Sequence, residues 1–289
     1  MIYIILSIFC SVTVAVLLKL AKRYQISIIQ AVTVNYLMAF MLCFLFFRPQ
    51  ISTLNSLAPW PVYGSLAILL PGIFLILAAS VKKLGIVKTD IAQRLSLFIP
   101  ILAAYFIFKE DFNQLKFIGL GIGFLAIVLT FLRKSSNETQ SNNWFFPITV
   151  FLGFGVIDVL FKQIALHKEF PYTTSLFIVF FLAFIVSVII VTVMALSGKT
   201  KLQLVNMGCG VILGVFNFGN ILFYLKAHQA LSSNPSTVFA AMNLGVIVAS
   251  TLIGVMIFKE KLSKLNYFGI ALAICAVILI TIAQLNAVR

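Results

Sequence analysis

The sequence predicts an all-helical integral membrane protein, with ten transmembrane helices arranged as two inverted five-helix repeats around a central cavity. Three observations predict it. Of 289 residues, 62% are hydrophobic and 10% charged, and the mean hydropathy is +1.13; a soluble domain is about 45–50% apolar and about 25% charged. The apolar residues gather into ten runs, each near the roughly 20 residues that cross a hydrocarbon core about 30 Å thick. A Phe-Lys-Glu turn at 108–110 recurs at 258–260, in the same place of each half.

Taken in order, the first run covers 2–18. No basic stretch precedes it and no small-residue cleavage site follows, so it reads as a retained helix rather than a signal peptide. Phe9 ahead of Cys10 argues against a lipoprotein site. The second run, 28–47, stops at Arg48-Pro49, and the third, 63–81, lies between Pro59-Trp60-Pro61 and Lys82-Lys83. The fourth and fifth are 91–108 and 115–132. The polar stretch 133–143 (RKSSNETQSNN) follows, almost at the midpoint, and reads as a flexible linker. The second half holds 145–164, then 174–196 up to Ser197-Gly198-Lys199, then 204–225, then 237–258 after Asn234-Pro235, and finally 267–284. Because the runs are continuous rather than alternating, helices are favoured over barrel strands; each helix satisfies its own backbone in lipid. The domains are therefore 1–134, a linker at 135–143, and 144–289.

Twenty-one basic residues against seven acidic ones give a net charge of +14. Drawn onto the runs, most of these lysines and arginines flank spans, where they meet anionic headgroups, so the charge does not imply nucleic-acid binding. Thirteen lie in the odd-numbered loops and seven in the even loops and C-terminus, which by the positive-inside rule puts both termini outside the cytoplasm. Cys10, Cys43, Cys209 and Cys275 all sit in apolar runs without CxxC spacing, as small hydrophobes. With two isolated histidines, His167 and His228, no metal site, cofactor or catalytic constellation is expected, and the chain reads as no enzyme.

The halves resemble each other. Over 23 columns starting at Phe108 and Phe258, seven are identical, including Leu115/Leu265, Gly119/Gly269 and Ala126/Ala276; composition alone would give roughly one column in ten. Val16-Leu17-Leu18-Lys19 also echoes Val159-Leu160-Phe161-Lys162. Five helices per half is an odd number, so the second half enters the membrane the other way up. Inverted repeats support alternating access, since exchanging the shapes of the two halves moves the opening from one face to the other.

With ten helices, a 5+5 repeat, and a Phe-Lys-Glu turn ahead of a glycine-containing last helix in each half (Pro100 through Glu110 into Gly119; Ser236 through Glu260 into Gly269), the chain resembles the drug/metabolite transporter superfamily, in its EamA-like branch. The resemblance covers essentially the whole chain. It implies a basket in which helices one, three, four, six, eight and nine line the cavity while five and ten are peripheral. The first helix departs from the branch, lacking its tryptophan-glycine pattern, so no contacts are carried over there.

An ionised group at mid-bilayer costs about 2.5–3.5 kcal/mol on insertion scales, so each one needs a reason. Asp158 in helix six stands four residues before Lys162, a spacing that allows pairing on one face. That pair is read either as a site for a substrate carrying both charges or as a structural ion pair, with Asp158 also able to carry a coupling proton. Lys19, the repeat mate of Lys162, is read as a gate residue or a snorkelling lysine. Arg94, four residues into the fourth run, allows the same two readings. Gln93 and Asn243 fall at equivalent positions counted back from the two Phe-Lys-Glu turns, and Asn217, Asn220 and Tyr224 share one face of helix eight. Amides and a phenol converging in an apolar cavity suit a small, partly polar solute, and such groups also hold helices together. Gly119/Gly123 and Gly210/Gly214 permit close helix approach, and Glu110 and Glu260 read as interface and capping residues.

These readings converge on a secondary transporter, without ATP since no Walker A pattern is present. Its expected partners are a small-molecule substrate, the lipid bilayer and a coupling proton. Its cargo is expected to be an amino acid or related metabolite, moved by export across a bacterial plasma membrane. Uptake of a sugar or nutrient, or lipid scrambling, are the alternatives.

Overall fold

The computed structural model describes residues 2–51, 58–96, 98–106, 114–131, 145–166, 170–198, 200–230, 235–260 and 262–287. The expected linker at 135–143, the first Phe-Lys-Glu turn and His167 lie outside the described residues, as do the side chains of Lys162 and His228. The described residues form helices α1 (Ile2–Arg23), α2 (Ile28–Phe47), α3 (Trp60–Leu84), α4 (Ile86–Leu95), α5 (Phe98–Phe106), α6 (Gln114–Phe131), α7 (Phe145–Leu166), α8 (Tyr172–Leu196), α9 (Leu204–Ala230), α10 (Pro235–Met256) and α11 (Lys264–Ala287). Six of them, α1, α2, α3, α8, α9 and α11, are long and apolar enough to cross a membrane, and α6, α7 and α10 carry shorter apolar stretches.

The fourth span corrects the sequence reading. It is two helices, α4 and α5, and it begins at Ile86 rather than at 91. Pro100 gives the physical reason for the break: a proline has no N–H to donate to the carbonyl four residues back. That carbonyl belongs to Ser96, which instead accepts the Ile99 N–H at 2.9 Å. The earlier start brings Thr89 and Asp90 into the membrane helix and places Arg94 in the last turn of α4, one turn after Asp90.

Packing between helices follows a two-fold exchange of halves. α1 packs on α9 as α3 packs on α7; α2 on α9 as α3 on α8; α1 on α10 as α4 and α5 on α7. α2 with α8 and α6 with α11 are each their own mates. This is the pattern that two inverted copies of one five-helix unit produce. α6 and α11 stand together at the periphery, as the resemblance implied. Outward faces carry large apolar side chains such as Phe9, Phe124 and Ile189, which meet lipid without penalty. Where helices approach closely, glycine makes room: a Cβ on Gly210 would lie 2.6 Å from the Ala31 carbonyl oxygen, and one on Gly214 3.0 Å from that of Asn35.

The candidate transport cavity

Between the halves lies a cavity of about 530 Å³. Its walls come from α1 (Ser11, Val14, Ala15), α3, α4, α7, α9 and α10, and also from α2 through Tyr36 and α8 through Tyr172, Leu176 and Phe180. The last two helices were not expected there. They enter because α2 and α8 pack on each other behind the cavity and their aromatic rings reach forward: Tyr36 lies edge-on to Phe74 and tilted against Phe180.

The structure brings most of the sequence-derived candidates to this cavity. Gln93, Arg94, Asp158, Asn217, Asn220, Tyr224 and Asn243 all line it. Lys19 does not; its ammonium donates to Glu260 at 3.3 Å. Lys162 lies on α7, and its side chain is outside the described residues.

Asp158 sits in the wall contributed by α7 and makes no hydrogen bond or ion pair among the described residues. It lies within electrostatic reach of Arg94, Tyr172 and Tyr224. Arg94 is held from both sides. Its Nη2 donates to Ser11 Oγ at 2.8 Å, and its Nε stands 3.6 Å from Asp90 Oδ1, one helical turn earlier. Asp90 Oδ2 in turn accepts from Ser250 Oγ on α10 at 2.8 Å. A chain of four residues on three helices thus fixes the guanidinium at the cavity wall. Asn217 Nδ2 donates to Asn35 Oδ1 at 3.1 Å, and Ser7 Oγ donates to Asn220 Oδ1 at 2.8 Å. Both amides therefore hold helices together, and both line the cavity.

Two residues emerge that sequence reasoning passed over, and a third finds partners that it did not name. Asp90 was placed in a connection. Tyr36 is 1% exposed and lines the cavity, yet its hydroxyl has no hydrogen-bond partner among the described residues; a buried polar atom left so costs about 1–3 kcal/mol and suits a solute. Glu260 was read as an interface and capping residue; it does cap a helix, and that helix is the distant α4. Four free cysteines are present, Cys10 and Cys43 buried, Cys209 half-buried and Cys275 exposed.

Comparison with known proteins agrees with this architecture. The EamA-like transporter family matches the chain twice, over residues 1–132 and 144–282. An uncharacterised protein of Haemophilus influenzae is 40% identical over 286 residues, covering 95% of each chain. A solved crystal structure superposes with a TM-score of 0.57 at 14% identity, covering 97% of this chain and 98% of the other, and shows the same fold. Two family matches in tandem, a bundle built on exchanged halves and a polar chamber between them leave one conclusion: the chain is a multi-pass membrane protein that belongs to the EamA-like transporter family and is not an enzyme.

Proposed function

We propose that the protein is a secondary transporter that exports an amino acid or a closely related amphoteric metabolite across a bacterial plasma membrane by alternating access. One observation carries the reading: a single cavity presents a carboxylate without a protein partner among the described residues, Asp158, and a guanidinium fixed in place, Arg94. An ammonium group would bind the first and a carboxylate the second. Arg94 is already oriented by Ser11 and Asp90, so little side-chain freedom is lost on binding. The Tyr36 hydroxyl and the cavity-facing amides would orient the polar centre of the cargo, and Phe74, Phe154 and Phe180 would receive an apolar side chain. A proton on Asp158 would compete with the ammonium group, which would couple export to proton entry.

Counterflow in proteoliposomes with labelled solutes tests the cargo class. Exchange of at least one amphoteric amino compound is expected, and failure of every such solute to exchange overturns the proposal. Asp158→Asn is expected to abolish or uncouple transport while leaving the thermal unfolding profile unchanged. Flux and pH dependence like those of the unsubstituted protein would remove Asp158 from the mechanism.

A further inference from the structure

At the end of the cavity where Ile86 lines the wall, three separate segments of the chain meet on one carboxylate. The Ile86 N–H donates to Glu260 Oε1 at 2.7 Å and the Val87 N–H to Oε2 at 3.2 Å. These are two of the four N–H groups that the start of a helix leaves without an internal partner, and the positive end of the helix dipole favours an anion there. Lys19 Nζ, at the end of α1, donates to the same Oε1 at 3.3 Å. The connection from α10 to α11 is shaped to deliver the carboxylate. Lys259 has φ +52°, in the left-handed region, and the Glu260 N–H returns to the Gly254 carbonyl at 2.9 Å. On the receiving side, Gly85 has φ +92°, and a Cβ there would lie 2.6 Å from the Glu260 carboxyl.

This contact sits where the two-fold pattern fails. α1 packs against α3 and α4, while the mirror contacts, α7 with α9 and α7 with α10, amount to no more than grazing approaches among the described residues. Among the described residues, α1 therefore meets two helices of its own half that α7 does not meet in the same way, and the approach of α1 to α4 is the one that Glu260 ties.

We propose that Glu260, with Lys19, is a positioning residue for transport: it latches the first turn of α4 to α1 and to the α10–α11 connection, and so keeps this end of the cavity closed in the conformation seen here. α4 is the helix that carries Asp90, Gln93 and Arg94 into the cavity. When the halves exchange shapes, α1 leaves α3 and α4, and Lys19 withdraws from Glu260 as α4 moves. The inference rests on alternating access and not on the identity of the cargo.

Side-specific labelling tests it. Ala15 lines the cavity, and Ala15→Cys, with Cys209 and Cys275 replaced by alanine, reports access when a membrane-impermeant maleimide is applied to one face of sealed vesicles. Glu260→Gln and Lys19→Gln are each expected to raise the labelling rate at least threefold from the face that carries Lys19 and to lower it from the opposite face. Exchanging the charges in Lys19→Glu/Glu260→Lys is expected to recover the original rates only in part, because a lysine cannot accept the two N–H groups of α4. Unchanged rates, equal rises from both faces, or full recovery by the exchange would each overturn the proposal. No substrate enters the readout, so a wrong cargo assignment leaves it intact.

Discussion

Asp90 is 5% exposed, yet it lies in Lys88-Thr89-Asp90, a polar triplet that reads as a connection when spans are drawn from apolar runs alone. The signal that finds it is the spacing to Arg94. An acid four residues ahead of a base is the same pattern that drew attention to Asp158 and Lys162, and it argues that both positions of each pair lie on one helical face. Asp90 balances the guanidinium that it adjoins. Removing it leaves the half-buried Arg94 with Ser11 and without its adjacent counter-charge, and breaking a buried pair costs up to about 3–5 kcal/mol. Asp90→Ala is accordingly expected to lower the unfolding temperature in detergent and to reduce transport, whereas Ser250→Ala, which removes one hydrogen bond to the carboxylate, is expected to cost about 1–3 kcal/mol and to retain measurable flux. Equal stability of Asp90→Ala and the parent would show that the pair does not hold the wall together.

The existence of each span was legible from hydropathy, because the bilayer demands a minimum run of apolar residues. The interruption between α4 and α5 was less so. Pro100 stood inside the fourth run as a visible breaker, but the run's composition masked both the break and the earlier start, since hydropathy measures transfer to lipid and a cavity-facing helix turn need not be apolar. The glycine pairs were read correctly as points of close approach within one chain: Gly119 faces Ile280 and Ala276 of α11, and Gly210 and Gly214 face α2. Their energetic weight differs by position. Gly210→Ala places a methyl group 2.6 Å from the Ala31 carbonyl oxygen and is expected to cost about 1–3 kcal/mol through forced separation of α2 and α9. Gly64 has nothing within 4 Å of such a methyl group, so Gly64→Ala is expected to leave stability unchanged or raise it by up to about 1 kcal/mol through helix propensity. Unfolding of the two variants in the same detergent separates them, and equal destabilisation would contradict the packing described.

For the whole molecule, the inverted repeat was legible from parity and from one recurring turn. What the repeat does with its polar residues was not, because a one-dimensional pattern shows which residues share a helix face and not which faces meet. Tyr36 illustrates the gap: it lies in a helix that was not among those expected to line the cavity, and only the packing of α2 on α8 brings its ring to the wall. Glu260 illustrates it more strongly, since its partners lie more than 170 residues away in the chain. Charge gives a prediction for orientation. The connections after α1, α3 and α10 meet around Glu260, and Gln30 near the start of α2 bonds to Thr200 and Lys201 ahead of α9, so these loops share one face, the one richer in lysine and arginine. The positive-inside rule then predicts that this face lies in the cytoplasm. A reporter fused to the C-terminus is expected to be active on the far side of the membrane, and cytoplasmic activity would reverse the assignment.

The α6–α11 pair, chemically the plainest part of the protein, has its own consequence. No described residue of either helix lines the chamber, and Gly119 presses so closely on Ile280 that a methyl group would lie 2.8 Å from its side chain. Under the proposed alternating access, a seam this tight, crossed by the two-fold axis itself, would act as a keel about which the remaining helices rock in either direction without parting the halves.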